Sequence, residues 1–260
     1  MQHFDIRTAD DLRRRLPPSL QKMQIFVYEK TDSTMTRAKL FAKEHGEDAI
    51  FIAREQSEGV GRLDRSFCSP EDRGLYASFL IHFPIDASRA SLLTPLVAVC
   101  LCRVLRALTP LEPKIKWVND IYIGERKLAG ILTRAELSEG SLSYAIIGVG
   151  LNVLGRTLPE EIADIATTVE LECGKALSVA SLAAALTEEL YASLPLVGSK
   201  EIADEYRKES MLTGRRVTVN KIGASYPATV VGISDSLELL LRLDDGGLES
   251  LGTGEVSIRL

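Results

Sequence analysis

The sequence predicts an α+β fold: a mixed or antiparallel sheet with helices, followed by a small all-β barrel. Three observations predict it. Through residue 209, strand-like apolar runs alternate with stretches of helical spacing. From residue 210 the texture changes to short β-rich runs separated by tight turn signals. The chain has 260 residues and is 45% hydrophobic, enough to bury one sizeable core and leave room for a minor second domain. The expected division is therefore 1–209 and 210–260.

Taken in order, a short charged opening leads to the strand IFVYEK (25–30), and TDSTM then enters a helix that runs toward Gly46, capped by Ser33 or Thr34. AIFIAR (49–54) is a buried strand, a Gly-rich loop follows from 55 to 74, and LYASFLIHF (75–83) is the next strand. Thr94 and Pro95 occupy cap and first-turn positions of a helix. Its apolar stripe is Leu93, Leu96, Cys100, Val104 and Leu108, and Thr109-Pro110 ends it. KIKWV, IYIG, LAGILTRAEL and SYAIIGVGLNV are short strands, and helical spacing returns over 160–171 and 178–194. RRVTVNK, SYPATVVGIS, LELLLRL, LES and EVSIRL make five strands of a barrel, and no internal repeat is present.

Composition excludes several function classes. With 31 basic and 36 acidic residues, the net charge of -5 gives no general attraction to nucleic acid. The run Arg13–Arg15 belongs to a segment, 1–25, that holds five basic against three acidic residues, a solvated helix face. No apolar run approaches the roughly 18 residues of a membrane span, and MQHFDIRTADD lacks a signal-peptide core, so a cytoplasmic protein is expected, with no membrane partner. Cys68, Cys100, Cys102 and Cys173 lack metal-site or disulfide spacing and read as reduced thiols. His3, His45 and His82 give little basis for a triad or a metal cluster.

Two constellations carry chemistry. The loop EQSEGVGRLDRSFCSP sets Gly59 and Gly61 beside Arg62 and Arg65. Glycines there would let backbone N–H groups approach a phosphate whose charge the arginines match. It fits neither the dinucleotide fingerprint nor the Gly-Lys-Ser/Thr phosphate loop. In KWVNDIYIGERKLAGIL (116–132), Asn119 and Asp120 interrupt a buried-looking hairpin, and Lys127 precedes Leu-Ala-Gly. Such an Asp can hold Mg²⁺ while the Lys neutralises charge developing between a carboxylate and an α-phosphate, which is the equipment of adenylation.

With these motifs in hand, DST (32–34), the Gly/Arg loop, SP (69–70), GLYASF, KWVND, KLAGIL and GVGLN, in this order, resemble the motifs of biotin protein ligases over roughly residues 25–260. The resemblance implies a class II synthetase-like catalytic domain with a C-terminal SH3-like barrel. It also implies activation of biotin by ATP to biotinyl-5′-AMP, and transfer to a lysine of a biotin-accepting carboxylase domain. By the same resemblance Lys127, Arg62 and Asp120 are the catalytic candidates, with Asp120 holding Mg²⁺. Ser33, Thr34, Gln56, Gly59, Gly61, Arg62, Phe67, Lys116, Asn119, Gly130, Gly148 and Gly150 would line the biotin and nucleotide sites. Asn152 would lie toward the adenine, Phe67 stands in a tryptophan's place, and Glu255 and Arg259 would reach the nucleotide from the barrel.

The loop departs from the family pattern: Val60 and Leu63 replace arginines and Asp64 a glycine, while Met35, Ser57 and Val118 replace Asn, Gln and Pro. The expected effect falls on loop dynamics and ATP affinity more than on biotin recognition, with Asp64 repelling ATP. The chain matches the monofunctional form, since about 24 residues before the first strand do not hold a winged DNA-binding domain. A monomer or weak homodimer is expected. Two other readings are a lipoate or octanoate transferase of the same fold, opposed by KLAGIL and the barrel, and a paralogue that holds biotin without efficient turnover.

Overall fold

A computed structural model describes residues 4–62, 65–139, 141–158, 160–221, 223–252 and 255–258. A seven-stranded mixed sheet is built from β1 (Gln24–Thr31), β2 (Ala49–Gln56), β3 (Gly74–Ile81), β4 (Lys114–Lys116), β5 (Asp120–Ile123), β6 (Arg126–Ser138) and β7 (Ser141–Asn152), in the order β1-β2-β3-β7-β6-β5-β4. Only β1 and β2 pair in parallel, and a parallel pair needs a crossover, here supplied by α2 (Thr34–Ala42). The arginine run starts on the last residue of the short opening helix α1 (Ala9–Arg13) and continues past its end, and its charges are met locally by Asp10, Asp11 and Asp5.

Strand periodicity gives the sheet two different faces. On β7, Ala145, Ile147, Val149 and Leu151 point into the main core, with Ile50, Ile52, Phe79 and the long helix α3 (Leu93–Leu108). Ile146 faces the opposite side and joins Met35, Ala38, Phe51 and Leu80 under α2. The functional side chains lie on this second face.

The α3 expectation needs two corrections. A 3₁₀ turn at Ala87–Leu92, capped by Asp86, leads into the helix one residue before Thr94, and Pro95 sits in the first turn, where its missing N–H has no helical partner to lose. Burial is also nearly all round: residues 96–102 are 0% exposed, whereas Leu108 is 38% exposed. The cause is a second helical layer, α6 (Val179–Ser193) and α7 (Lys200–Glu209), packed on the side of α3 away from the sheet. For the same reason the stretch 87–108 is, contrary to expectation, long and apolar enough to cross a membrane by composition, although it is spent inside the protein. Burial raises the Cys100 and Cys102 thiols to about 12, so they behave as small apolar groups, and all four cysteines are free.

Helix α7 was not expected from the sequence, because KEIADEYRKE turns only Ile202, Ala203 and Tyr206 inward, with Glu209 at its end. Polar contacts hold it. Arg103 on α3 is paired with Glu205 and with Glu189 of α6, and Glu209, only 2% exposed, accepts from Arg106 and Lys114. Burial pushes the Glu209 carboxyl up, but the hydrogen bonds from Lys114 and Arg106 outweigh it and leave the group below its usual value near 4.5. A lowered carboxyl contributes stability above its unfolded pKa and loses it as pH falls through the folded one. Glu209→Gln is therefore expected to cost about 2 kcal/mol at neutral pH, since two cations lose their partner. Urea melts should show that gap closing below a pH of about 4; a gap that persists there contradicts the ionic account.

Beyond α7, β8 (Arg216–Lys221), β9 (Ala224–Ile233), β10 (Leu239–Leu243), β11 (Leu248–Leu251) and β12 (Glu255–Ile258) form an antiparallel five-stranded SH3-like sheet, order β11-β10-β9-β8-β12. Its inward residues Val217, Val219, Val230, Leu239 and Leu241 are continuous with the main core. Arg215 pairs with Glu125 at 2.9 Å, and Trp117 Nε1 donates to the Leu237 carbonyl at 2.9 Å, so the barrel is fastened beside the β4–β5 hairpin.

Candidate active site

The first cluster begins at the N-terminus of α2. Ser33 caps the helix by accepting from Met35 N–H at 3.3 Å. Thr34 donates its backbone N–H and its hydroxyl to Gln56 Oε1 at 2.9 and 3.1 Å, and its hydroxyl lies 2.8 Å from that of Ser78. Gln56 Nε2 donates to Ser69 Oγ at 2.9 Å, and Ser69 in turn donates to the Phe67 carbonyl at 3.1 Å. The predicted trio Ser33, Thr34 and Gln56 is thus brought together, and Ser78 and Ser69 orient it. Ser78 was not singled out within GLYASF because its bond to Thr34 depends on a register that the motif alone does not give.

The floor in front of this cluster is made of glycine. A Cβ on Gly148 would lie 2.8 Å from Met35 Sδ, one on Gly150 would lie 2.5 Å from the Phe67 ring, and one on Gly130 would lie 3.3 Å from Lys127 Nζ. Bare backbone on one face of β6 and β7 lets these side chains, or a flat ligand, lie directly on the sheet. The resulting cleft, about 480 Å³, runs from Ser33, Thr34 and Gln56 to Arg62, Asn119 and Lys127.

The Gly59–Phe67 loop behaves differently from the expected phosphate cradle. Gly61 N–H is donated to the Arg65 carbonyl and Phe67 N–H to the Gly59 carbonyl, each at 2.7 Å, and a Cβ on Gly59 would stand 2.3 Å from the Phe67 oxygen. The glycines let the chain double back on itself, and the anion-binding capacity comes from side chains. Leu63 and Asp64 lie outside the described residues.

Those side chains face a second chamber of about 630 Å³. Among the described residues it is lined by Arg62, Arg65, Lys116 and Lys127 and by the carboxylate of Asp120, with Trp117, Asn119 and Val256 of β12 in the wall. Among the described residues this excess of cations favours a polyphosphate. Lys116 also stands 5.4 Å over the Tyr122 ring. Asn119 has both ends of its carboxamide engaged: Nδ2 donates to the Ile131 carbonyl at 3.0 Å and Oδ1 accepts from Arg62 at 3.1 Å. Lys127 Nζ lies 2.8 Å from Asp120 Oδ1, an ionic contact outside hydrogen-bond alignment that leaves this buried oxygen without a hydrogen-bond donor.

A third cleft, about 1170 Å³ and mostly apolar, opens beyond Phe67. Tyr76, Leu154, Leu158, Ile162 and Ile165 line it, with Asn152 at its polar side. The continuous helix expected over 160–171 is replaced by two short ones, α4 (Glu160–Ala163) and α5 (Val169–Cys173). The segment between them pairs with β6 instead: Lys127 N–H donates to the Ile165 carbonyl and Thr167 N–H to the Lys127 carbonyl, both at 2.9 Å. The main chain of Lys127 is thereby held while its side chain projects into the site. Lys127 and Phe67 are the two residues that border all three clefts. Glu255 starts β12 opposite Asn220, next to Val256, and Arg259 lies outside the described residues.

No group of three or more His, Cys, Asp or Glu side chains suited to a metal occurs among the described residues. Among the described carboxylates Asp120 faces the cation-lined chamber, an arrangement suited to a Mg²⁺ ion that takes most of its ligands from phosphates and water.

Residues 27–152 match the Biotin/lipoate A/B protein ligase family. The biotin–[acetyl-CoA-carboxylase] ligase of Mycobacterium tuberculosis is 32% identical over 237 residues, 86% of this chain and 84% of that protein. The bifunctional ligase/repressor BirA of Escherichia coli is 31% identical over 214 residues, 80% of this chain and 65% of that protein. Among solved structures, the biotin protein ligase of Aquifex aeolicus in complex with biotin and ATP superimposes with a TM-score of 0.76 at 28% identity, covering 91% of this chain and 98% of that one.

Proposed function

We propose that this chain, which belongs to the biotin/lipoate A/B protein ligase family, activates biotin with ATP and transfers it to an acceptor protein. The observation that carries the reading is the convergence of a polar-ended cleft, a cationic chamber and an apolar cleft on one lysine. Biotin would lie along the glycine floor with its polar ring at Ser33, Thr34 and Gln56. Its carboxylate would then reach Lys127. The triphosphate would occupy the chamber of Arg62, Arg65 and Lys116, with the adenine in the apolar cleft near Asn152. The carboxylate attacks the α-phosphorus and diphosphate leaves, giving biotinyl-5′-AMP. A lysine amine of the acceptor then attacks the acyl carbon and AMP departs. Asp120 would help to hold a Mg²⁺ ion, which would supply further charge neutralisation.

The acceptor is a biotin-accepting carboxylase domain, and a cytoplasmic setting follows from that partner. In this reading residues 1–209 form the catalytic domain and 210–260 the barrel that closes the phosphate chamber. AMP formation that requires biotin, ATP and an acceptor carboxylase domain tests the activity. A protein that binds biotin yet releases no AMP would be the non-catalytic paralogue instead.

Ligand specificity has its own expected result. Biotin at a hundred times its Kd should stabilise the folded state by about 2.7 kcal/mol, whereas lipoate and octanoate, lacking a group to pair with Thr34 and Gln56, should leave the melting midpoint unchanged. Differential scanning fluorimetry decides, and a shift with lipoate alone would transfer the protein to the lipoate branch.

A further inference from the structure

Asn119 and Asp120 reach the site from the β4–β5 hairpin, whose ends pair as Lys116↔Asp120 and whose tip is Trp117, Val118 and Asn119. A three-residue tip has little rigidity of its own, yet four contacts from three elements hold this one and the adjoining Asp120. The barrel receives the Trp117 indole N–H at the Leu237 carbonyl. On β6, Ile131 N–H donates to the Asn119 carbonyl at 2.9 Å. Asp120 meets Lys127. The remaining contact comes from α7: Tyr206, 0% exposed, donates its phenolic hydroxyl to the Val118 carbonyl at 3.1 Å.

We propose that Tyr206 is a positioning residue for adenylation: its hydroxyl, fixed from α7, sets the hairpin tip so that Asn119 meets Arg62 and Asp120 meets Lys127. The inference rests on the ligase reading above. Tyr206 touches neither the clefts nor the reacting atoms, and its neighbour Arg207 donates to the Ile233 carbonyl at 3.0 Å and pairs with Asp235 in the barrel. One turn of α7 therefore holds the hairpin tip with one side chain and the barrel loop with the next. The barrel wall of the phosphate chamber and the Asn119–Asp120 pair are set by the same helix. Without the hydroxyl, the carbonyl of half-buried Val118 loses this donor, and the tip relaxes to find another.

Tyr206→Phe removes one oxygen and keeps the ring's packing. Thr187→Val is its control: Thr187 is equally buried, on α6, and its hydroxyl is bound to the Ala183 carbonyl at 2.7 Å, away from the site. Each protein is assayed for biotinyl-adenylate formation at the same margin below its own melting midpoint, which removes the effect of lost stability. Tyr206→Phe is expected to lower kcat roughly tenfold, leave the KM for biotin within twofold, and speed amide exchange over residues 117–121; Thr187→Val should do none of these. A kcat within twofold of wild type, or an equal loss in Thr187→Val, would overturn the proposal. If the wild type forms no adenylate, the ligase reading fails by itself, and exchange then decides: unaltered exchange over 117–121 in Tyr206→Phe overturns the positioning role.

Discussion

Lys127→Ala is expected to slow biotinyl-adenylate formation by roughly 10²–10³-fold while leaving the fold intact, the range typical of losing one preorganised stabiliser of transition-state charge. The backbone of residue 127 is held by Ile165 and Thr167 whatever its side chain, so truncation should not release the segment between α4 and α5. The side chain is 33% exposed and borders all three clefts, so bound substrates would exclude water around its ammonium and strengthen its field. Removal also leaves Asp120 facing the phosphate chamber without its counter-charge. The double variant Lys127→Ala/Asp120→Asn should then recover part of the loss if repulsion from Asp120 contributes. Rapid-quench measurement of adenylate formation, with melting midpoints as the folding control, gives the result. A Lys127→Ala protein of near-normal rate would remove the assignment.

The order of strands and the β-rich texture of residues 210–258 were legible because period-two alternation and turn residues are local signals. Three features were not, and each depends on a partner distant in sequence. The all-round burial of α3 requires α6 and α7 on its outer face. The break in the 160–171 helix arises because Ile165 and Thr167 find hydrogen-bond partners on Lys127, and a β-type pairing competes with helix only once that edge is near. Helix α7 hides behind its charges, which are satisfied by Arg103, Arg106 and Lys114 from elements nearly a hundred residues away.

The site divides in the same way. Ser33, Thr34, Gln56, Lys127 and the glycines were readable as motif members, and the structure gathers them around connected clefts. For Gly59 and Gly61 the sequence left the role open, because a glycine that lets the chain reverse and one that bares an N–H look identical in sequence. Ser69 and Ser78 sit inside the SP and GLYASF motifs without any sign of what they bond, and Tyr206 lies in no motif, since all three act by register and burial. The expectation for Asp64 concerns a residue outside those described, so kinetics on Asp64→Gly, not geometry, bears on it.

Arg62→Gly should turn the protein into one that makes the acyl-adenylate and fails to keep it. Arg62 leaves the doubled-back loop and spans to Asn119 Oδ1 at 3.1 Å, where the first cleft meets the cationic chamber. Its guanidinium closes the loop over the hairpin tip and would face the phosphate of a bound adenylate. A charge-assisted hydrogen bond to such a group contributes about 2 kcal/mol, which corresponds to roughly thirtyfold faster release. Released biotinyl-5′-AMP acylates exposed amines, so bystander proteins should become biotinylated in proportion to their surface lysines. Arg62→Ala separates loss of the cation from the extra backbone freedom of glycine and should leak nearly as much. Asn119→Ala removes the other end of the strut. If the Arg62–Asn119 contact closes the site, combining Arg62→Ala with Asn119→Ala adds little to either single change, whereas independent roles give additive free energies. Dissociation of labelled adenylate from the isolated complex measures all four proteins, and retention unchanged from wild type in Arg62→Ala would show that the loop closes without this residue.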